Sequence, residues 1–350
     1  MIGTEALYTK AAPFFAKLKE RFLLSLPGSS KETWHIILDI AGSGLGYKVG
    51  DSIAILPSHD PLLIEKTLQS LHLTGDEKIT CKRTARSFSL RDYFTNHVSI
   101  TRIPRDFEAA EGYELWDYLL DHPKTLSAQE IADLLPPLLP RFYSIASAQE
   151  ASANEIHLTV AITSYTSRGH LRLGVGTHFL CHMEPATVPI YLQSSKDFTV
   201  PHQEADLIMV GPGTGVAPFR GFMQKRLVEN HSGRNWLFFG EQKRSTDFLY
   251  EDFWMDLSSK RLLQLSLAFS RDQEEKIYVQ HRMMEEASEL WKWLEKGSYF
   301  FVCGDASRMA KDVEATLLQI AQNEAGFDLE KARLFLKDLR KTGRYLRDIY

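Results

Sequence analysis

Hydrophobic and polar positions follow two different rhythms along this chain, and the change falls near residue 200. Before it, Trp34, Ile36, Leu38 and Ile40 alternate with polar or neutral neighbours, as do Ile156, Leu158, Val160 and Ile162, and then Val188, Ile190 and Leu192. Successive side chains of a strand point to opposite faces, so this period of two predicts half-buried antiparallel strands. Turn residues punctuate the runs at Gly42-Ser43-Gly44, Gly50-Asp51 and Ser167-Arg168-Gly169, as in a small β-barrel or sandwich. From about residue 59 to 138 the spacing becomes helical, with Leu62, Leu63, Leu68 and Leu71, then Phe94, Trp116, Leu119 and Leu120. A helical insertion is expected to interrupt the barrel.

After residue 200, short apolar runs alternate with amphipathic stretches. The runs are Asp206–Val210, Trp236–Phe239, Leu263–Phe269 and Tyr299–Val302. Strands buried on both faces and separated by helices imply a parallel, doubly wound sheet. One of the helices is legible in detail: Met309, Val313, Leu317 and Ile320 share a stripe, and Asp305 or Ser307 can cap its start. The expected organisation is therefore a barrel domain over 1–200, with the insertion at about 59–138, and an α/β domain over 201–350. The second should bind ligands at the C-terminal ends of its strands.

Composition narrows the function classes. The 350 residues, 44% of them hydrophobic, are enough for two domains with cores of their own. A net charge of −4 does not suit a nucleic-acid or membrane-surface binder. Cys81, Cys181 and Cys303 lie far apart and form no C-x-x-C pair, which points to free thiols in a reducing compartment. No apolar run approaches the roughly 18 to 20 residues of a membrane span, so a cytoplasmic location is expected. Twelve histidines show no ligand spacing, and no metal is assigned.

Chemistry gathers at four places. Gly211-Pro-Gly213-Thr214-Gly215-Val-Ala-Pro218 follows the first strand of the second half and opens a helix. Glycines allow a tight turn and close approach of phosphate oxygens, while a helix start offers free N–H groups. After the third strand, Ser270, Arg271, Lys276 and Tyr278 cluster within nine residues. They read equally as a phosphate clamp, with Tyr278 stacking on a purine, or as a solvated loop neutralised by Asp272, Glu274 and Glu275. In the barrel half, Arg141-Phe-Tyr143-Ser144 and Gly174-Val175-Gly176-Thr177 are each compatible with an ordinary strand or turn.

Taken together these segments resemble the ferredoxin–NADP⁺ reductase superfamily, and within it the FAD/NADPH reductase portion of diflavin enzymes such as the flavoprotein component of NADPH-dependent sulfite reductase. The resemblance runs from roughly Trp34 to Tyr350. It is carried by R-x-Y-S at Arg141–Ser144, Thr159-Val160-Ala161 with Tyr165, the turn Gly174–Thr177 and GPGTGVAPFR at Gly211–Arg220. It continues through NWLFFG, Ser270–Asp272, Lys276–Gln280, VCGDASRMAKDVE from Val302 and the terminal YLRDIY.

The resemblance implies an FAD-binding antiparallel β-barrel with a helical connecting insertion, followed by an α/β parallel-sheet NADP-binding domain. Arg141 would pair with the FAD pyrophosphate, Tyr143 would flank the isoalloxazine, and Ser144 would hydrogen-bond near flavin N5. Gly174, Val175, Gly176 and Thr177 would hold the pyrophosphate, and Thr159, Ala161 and Tyr165 would line the adenosine side. Tyr350 would cover the flavin and move aside for nicotinamide. Gly213 and Thr214 would face the NADP pyrophosphate, with Ser270, Arg271, Lys276 and Tyr278 around the 2′-phosphate, Gln280 on adenine and Asp312 nearby. Ser144, Cys303 and Asp348 would surround the hydride path.

Three departures from the family pattern stand out. Glu241 follows NWLFFG where an uncharged residue is common, Gly176 replaces a small side chain, and no flavodoxin-like segment of roughly 150 residues precedes the barrel. The expectation is an enzyme with FAD and NADPH but without FMN. It would pass electrons to a flavodoxin-like protein, a ferredoxin or a sirohaem protein; reduction of a small molecule or another flavin, or a non-catalytic FAD-binding subunit, are the alternatives. The basic residues Arg340, Lys341, Arg344 and Arg347 read as a solvated helix face with structural pairs, or as a docking patch for an acidic carrier.

Overall fold

A computed structural model of the chain describes residues 7–108 and 111–350; the start of the N-terminal stretch and positions 109–110 of the insertion lie outside the described residues. In chain order, β1 (Phe14–Leu23), β2 (Thr33–Asp39) and β3 (Ser52–Ile55) precede the insertion. It contains α1 (Pro61–Leu71), β4 (Lys78–Thr80), β5 (Ser87–Ser89), α2 (Leu90–Asn96), α3 (Leu115–Asp121) and α4 (Ala128–Leu134). Then come β6 (Arg141–Ser144), β7 (Glu155–Ala161), β8 (Ser164–Ser167), β9 (His170–Leu173), α5 (Val175–Cys181) and β10 (Val188–Gln193). The remainder is β11 (Leu207–Val210), a 3₁₀ turn (Gly213–Val216), α6 (Ala217–Val228), β12 (Asn235–Glu241), α7 (Arg244–Asp247), α8 (Glu251–Ser259) and β13 (Gln264–Phe269). It ends with α9 (Val279–Glu285), α10 (Ala287–Glu295), β14 (Tyr299–Gly304), α11 (Met309–Ala325), α12 (Leu329–Lys341) and β15 (Tyr345–Ile349).

Six of these strands form a barrel-like sheet in the order β6-β3-β10-β1-β2-β7. The pairs β1/β10 and β2/β7 are antiparallel, the latter in register from Thr33 opposite Ala161 to Asp39 opposite Glu155. The second sheet is parallel, in the order β13-β12-β11-β14-β15. Both architectures anticipated from the two periodicities are present.

The described chain divides into two compact units, one of residues 1–18, 54–142 and 162–191, the other of 19–53, 143–161 and 192–350. In the first, the helical insertion has its own core of Ile64, Leu68, Phe94, Leu115, Leu119 and Ile131. Asp60 caps α1 by accepting the Leu62 N–H at 2.7 Å, ahead of Pro61, whose ring presets the first turn. Leu62 and Leu120 match the helical spacing but stay exposed. Arg172 of β9 is 2% exposed, and its guanidinium donates to Glu114 at 2.9 Å and to Asp117 of α3.

The second unit shows why its strands are apolar throughout. Ile208, Val210, Trp236, Phe238, Phe300 and Val302 turn to one face of the parallel sheet, packed beneath α9–α12. Their neighbours Met209, Leu237, Phe239, Phe301 and Cys303 turn to the other, against Phe219, Phe222 and Trp254 of α6 and α8. Alternation puts every residue of such a strand into one of two cores. Neither Asp305 nor Ser307 stands at the N-cap of the helix that follows β14: that position is Arg308, which makes no side-chain cap bond. Asp305 instead ties the preceding turn, accepting the Arg308 N–H at 2.9 Å. The Ser307 hydroxyl and the N–H groups of Arg308 and Ser307 hold its carboxyl down at about 2.

The C-terminal basic residues do not form one helix face. Arg340 lies on α12 and Arg347 on β15, and both pair with Glu314, while Arg344 donates to the carbonyls of Leu294 and Ser298. The structural-pair alternative therefore accounts for three of the four.

Replacing Arg172 by Met should strand two buried carboxylates and cost about 3–5 kcal/mol. A thermal midpoint equal to that of the unsubstituted protein would show that this ion pair contributes nothing.

Candidate functional site

Strands of a parallel sheet end on one edge, and the order of these strands reverses between β11 and β14, a switch point of the kind where ligands bind in such sheets. The glycine turn leaves β11 at this point and leads through the 3₁₀ turn into α6. A Cβ on Gly215 would lie 2.2 Å from the carbonyl oxygen of Cys303, so only glycine lets the turn seat on the end of β14.

The register of β14 and β15 sets Cys303 directly opposite Asp348. The Ser144 hydroxyl, at the end of β6, donates to Asp348 Oδ2 at 2.6 Å, and Cys303 Sγ lies 3.8 Å from the same oxygen. Cys303 is fully buried; burial first, and the Asp348 carboxylate second, push its thiol well above the ordinary value. It is therefore a neutral, polarisable thiol rather than a nucleophilic thiolate. Thr214 of the glycine turn shares a 2.8 Å hydrogen bond with the Tyr350 hydroxyl.

Glu241 has a definite place. Its Oε1 lies 3.2 Å from where a Cβ on Gly213 would stand, so its carboxylate borders the glycine turn, and Lys31 Nζ donates to it at 2.5 Å. A carboxylate beside a phosphate-type turn is tolerable only with such a counter-charge. Lys31 was not legible as a site residue, because nothing local links it to a strand end 210 positions away.

Beyond β13, the N–H of Ser270 donates to the Glu241 carbonyl at 2.9 Å and its hydroxyl to the same oxygen at 3.3 Å. Arg271 and Lys276 are exposed and make no ion pair with a described residue, whereas Asp272 accepts the Arg244 N–H at 3.1 Å. The loop is thus not neutralised from within by Asp272. Tyr278 is 43% exposed at the start of α9, and Gln280 Nε2 lies 3.4 Å from Asp312 Oδ2.

In the first unit, Arg141 donates to the Leu139 carbonyl at 2.7 Å. Gly174 precedes α5, whose first intrahelical bond runs from the His178 N–H to the Gly174 carbonyl at 2.8 Å. The N–H groups of Val175, Gly176 and Thr177 thus precede the ladder, as an anionic diphosphate requires. Gly176 is buried in that first turn. Thr177 donates its hydroxyl to the Gly174 carbonyl at 3.0 Å and accepts the Thr163 N–H at 3.2 Å. Tyr165 of β8 is 59% exposed.

Three residues of the second unit complete the set. Tyr143 of β6 and Ala161 of β7 are half-buried. Thr159 is buried, and its hydroxyl meets the Tyr250 hydroxyl at 2.6 Å, so it offers a ligand only its main chain.

Two family models match the chain. One, described as "FAD binding domain", covers residues 8–107 and 105–179; the other, "Oxidoreductase NAD-binding domain", covers 209–315. The chain carries an FAD-binding domain and an oxidoreductase NAD-binding domain of these two families. Relatives named "Sulfite reductase [NADPH] flavoprotein alpha-component" are similar over nearly its full length. Those of Vibrio cholerae serotype O1 and Bacillus subtilis strain 168 are 39% and 38% identical, each over 99% of this chain. That of Salmonella typhimurium is 38% identical over 98%. The chain spans 61% of the Vibrio relative and 62% of the other two. Among the described residues no helix is long and apolar enough to cross a membrane.

Glu241→Gln should tighten NADP⁺ binding by about threefold to tenfold, and Lys31→Met should weaken it by at least as much, by removal of one charge or of its partner. Calorimetric titration checks both, and a pair of unchanged dissociation constants would detach this ion pair from the site.

Proposed function

We propose that the chain is an NADPH-dependent flavoprotein reductase in which a hydride from NADPH is taken up at FAD and electrons leave singly to a separate acceptor protein. The reading divides it into an FAD-binding domain over 1–200 and an NADP-binding domain over 201–350. The observation that carries it is the convergence of Ser144 and Cys303 on Asp348 beside the end of β14. A flavin held only for structure has no use for such a cluster.

Open N–H donors at the start of α5, with Arg141, suit the FAD diphosphate. Tyr143 and Tyr350 are the flat walls for its ring system, and Ala161, Tyr165 and the main chain of Thr159 its adenosine side. Bound FAD supplies the chemistry, accepting a two-electron hydride and releasing single electrons. The residues of this chain orient and bias that exchange. Ser144 gives its one hydroxyl hydrogen to Asp348, so while that bond stands its oxygen meets a further partner only as an acceptor. Asp348 places a negative charge where a hydride donor ring becomes positive, which favours the transfer. Cys303 keeps the floor of the site apolar and uncharged.

For the nucleotide, Gly213 and Thr214 face the diphosphate, and the unpaired cations Arg271 and Lys276, with Ser270 and Tyr278, face a 2′-phosphate. Gln280 and Asp312 stand at the adenine. Two cations free of ion pairs with described residues at this position favour NADPH over NADH. The acceptor is a flavodoxin-like protein, a ferredoxin or a sirohaem protein, the last in keeping with the sulfite reductase name of the relatives.

Anaerobic titration with each nucleotide tests the reading: NADPH should bleach the oxidised-flavin band rapidly and NADH poorly. A yellow protein that neither bleaches would be a non-catalytic FAD-binding subunit. Arg271→Ala should weaken NADPH binding by about tenfold or more while sparing NADH; equal losses for both would remove the 2′-phosphate role. Ser144→Ala and Cys303→Ala should slow flavin reduction far more than they weaken NADPH binding, and unchanged reduction rates would remove both assignments.

A further inference from the structure

Arg220, the last residue of the GPGTGVAPFR segment, lies half-buried on α6 of the second unit. Its guanidinium makes no ion pair with a described carboxylate, and its Nε is buried without a partner. The Tyr250 and Phe253 rings lie 5.1 and 5.7 Å away and His157 Nδ1 3.5 Å. A guanidinium held partly out of water without a carboxylate is costly, so its one short bond is informative. Arg220 donates to the carbonyl of Ala146 at 2.7 Å.

That bond is one of three close approaches, two of them hydrogen bonds, on successive residues. A Cβ on Gly221 would come within 2.9 Å of the Ser147 carbonyl oxygen, so α6 lies directly on this main chain. Gln224 accepts the N–H of Ala148 at 2.9 Å. Ala146, Ser147 and Ala148 continue the strand that ends in Ser144, so α6 grips that strand just beyond the residue that donates to Asp348. The 3₁₀ turn that leads into the same helix packs at Gly215 directly against the Cys303 carbonyl. The turn and its helix thus lie against the main chain on both sides of the Ser144–Asp348–Cys303 cluster.

We propose that Arg220 and Gln224 are positioning residues for hydride transfer: by holding the Ala146–Ala148 main chain on α6, they fix the Ser144 hydroxyl at Asp348. This rests on the reductase reading of the site. Misplacement by about 1 Å can cost a factor of about a hundred in such a step, although neither residue touches the nucleotide turn.

The experiment compares flavin reduction at saturating NADPH, NADP⁺ dissociation constants and FAD content in the full chain and in R220M, R220K and Q224A. R220M should retain FAD, bind NADP⁺ within about twofold of the unsubstituted chain and reduce its flavin about tenfold more slowly or worse; R220K, which keeps a donor for the Ala146 carbonyl, should recover most of the rate. Q224A should show the same split more weakly, and it decides the matter if R220M yields no FAD-loaded protein. In a Ser144→Ala background R220M should cost less than about threefold, because its effect passes through that hydroxyl. A full additive loss in that background, unchanged rates, or rate and NADP⁺ affinity falling together would overturn the proposal. An unsubstituted chain that NADPH does not bleach overturns the reductase reading itself, and this proposal with it.

Discussion

Parallel pairing of β15 with β14, with Cys303 opposite Asp348, is the contact from which the candidate site takes its geometry. Without that fifth strand the carboxylate has no fixed height along the sheet and the Ser144 hydroxyl no acceptor. The pairing depends in turn on the sheet beneath it. Phe300 and Val302 are locked into one core and Phe301 and Cys303 into the other, so β14 has no freedom to slip in register. A slip of one residue would exchange the two faces, which burial on both sides does not permit.

Charge is distributed sparingly around this frame. Asp348 is shared by Ser144 and Cys303, Glu241 by Lys31 and the main chain, and Arg220 by a carbonyl and aromatic rings. Where the proposed nucleotide ends, by contrast, Arg271 and Lys276 are exposed and have no ion-pair partner among the described residues. The charges that make the geometry each have at least one partner within the protein, whereas those left open lie at the surface, where an anionic ligand can reach them with little desolvation cost.

The helical insertion illustrates the limits of periodicity. Leu68, Phe94 and Leu119 are in its core, as their spacing indicates, yet Leu62 and Leu120, equally apolar and equally well spaced, remain exposed. Spacing identifies a face but not how wide a stripe the neighbouring helices cover. The hairpin β4/β5 gave no signal because each strand is only 3 residues long, and the buried Arg172 gave none because its two acids lie 58 and 55 positions away.

By itself the sequence determined the change of rhythm near residue 200, the apolar parallel strands and the glycine turn after β11. All of these arise from residues within a few positions of one another, so local periodicity and backbone preference suffice. The family motifs also marked Ser144, Cys303 and Asp348 as candidates before any geometry was known. Only the tertiary structure decided that Ser144 reaches Asp348 across 204 positions, that Lys31 neutralises Glu241 across 210, and that Thr159 turns its hydroxyl to Tyr250. Such pairs are chosen by which strands and helices the buried faces bring together, a property of packing that no local pattern encodes.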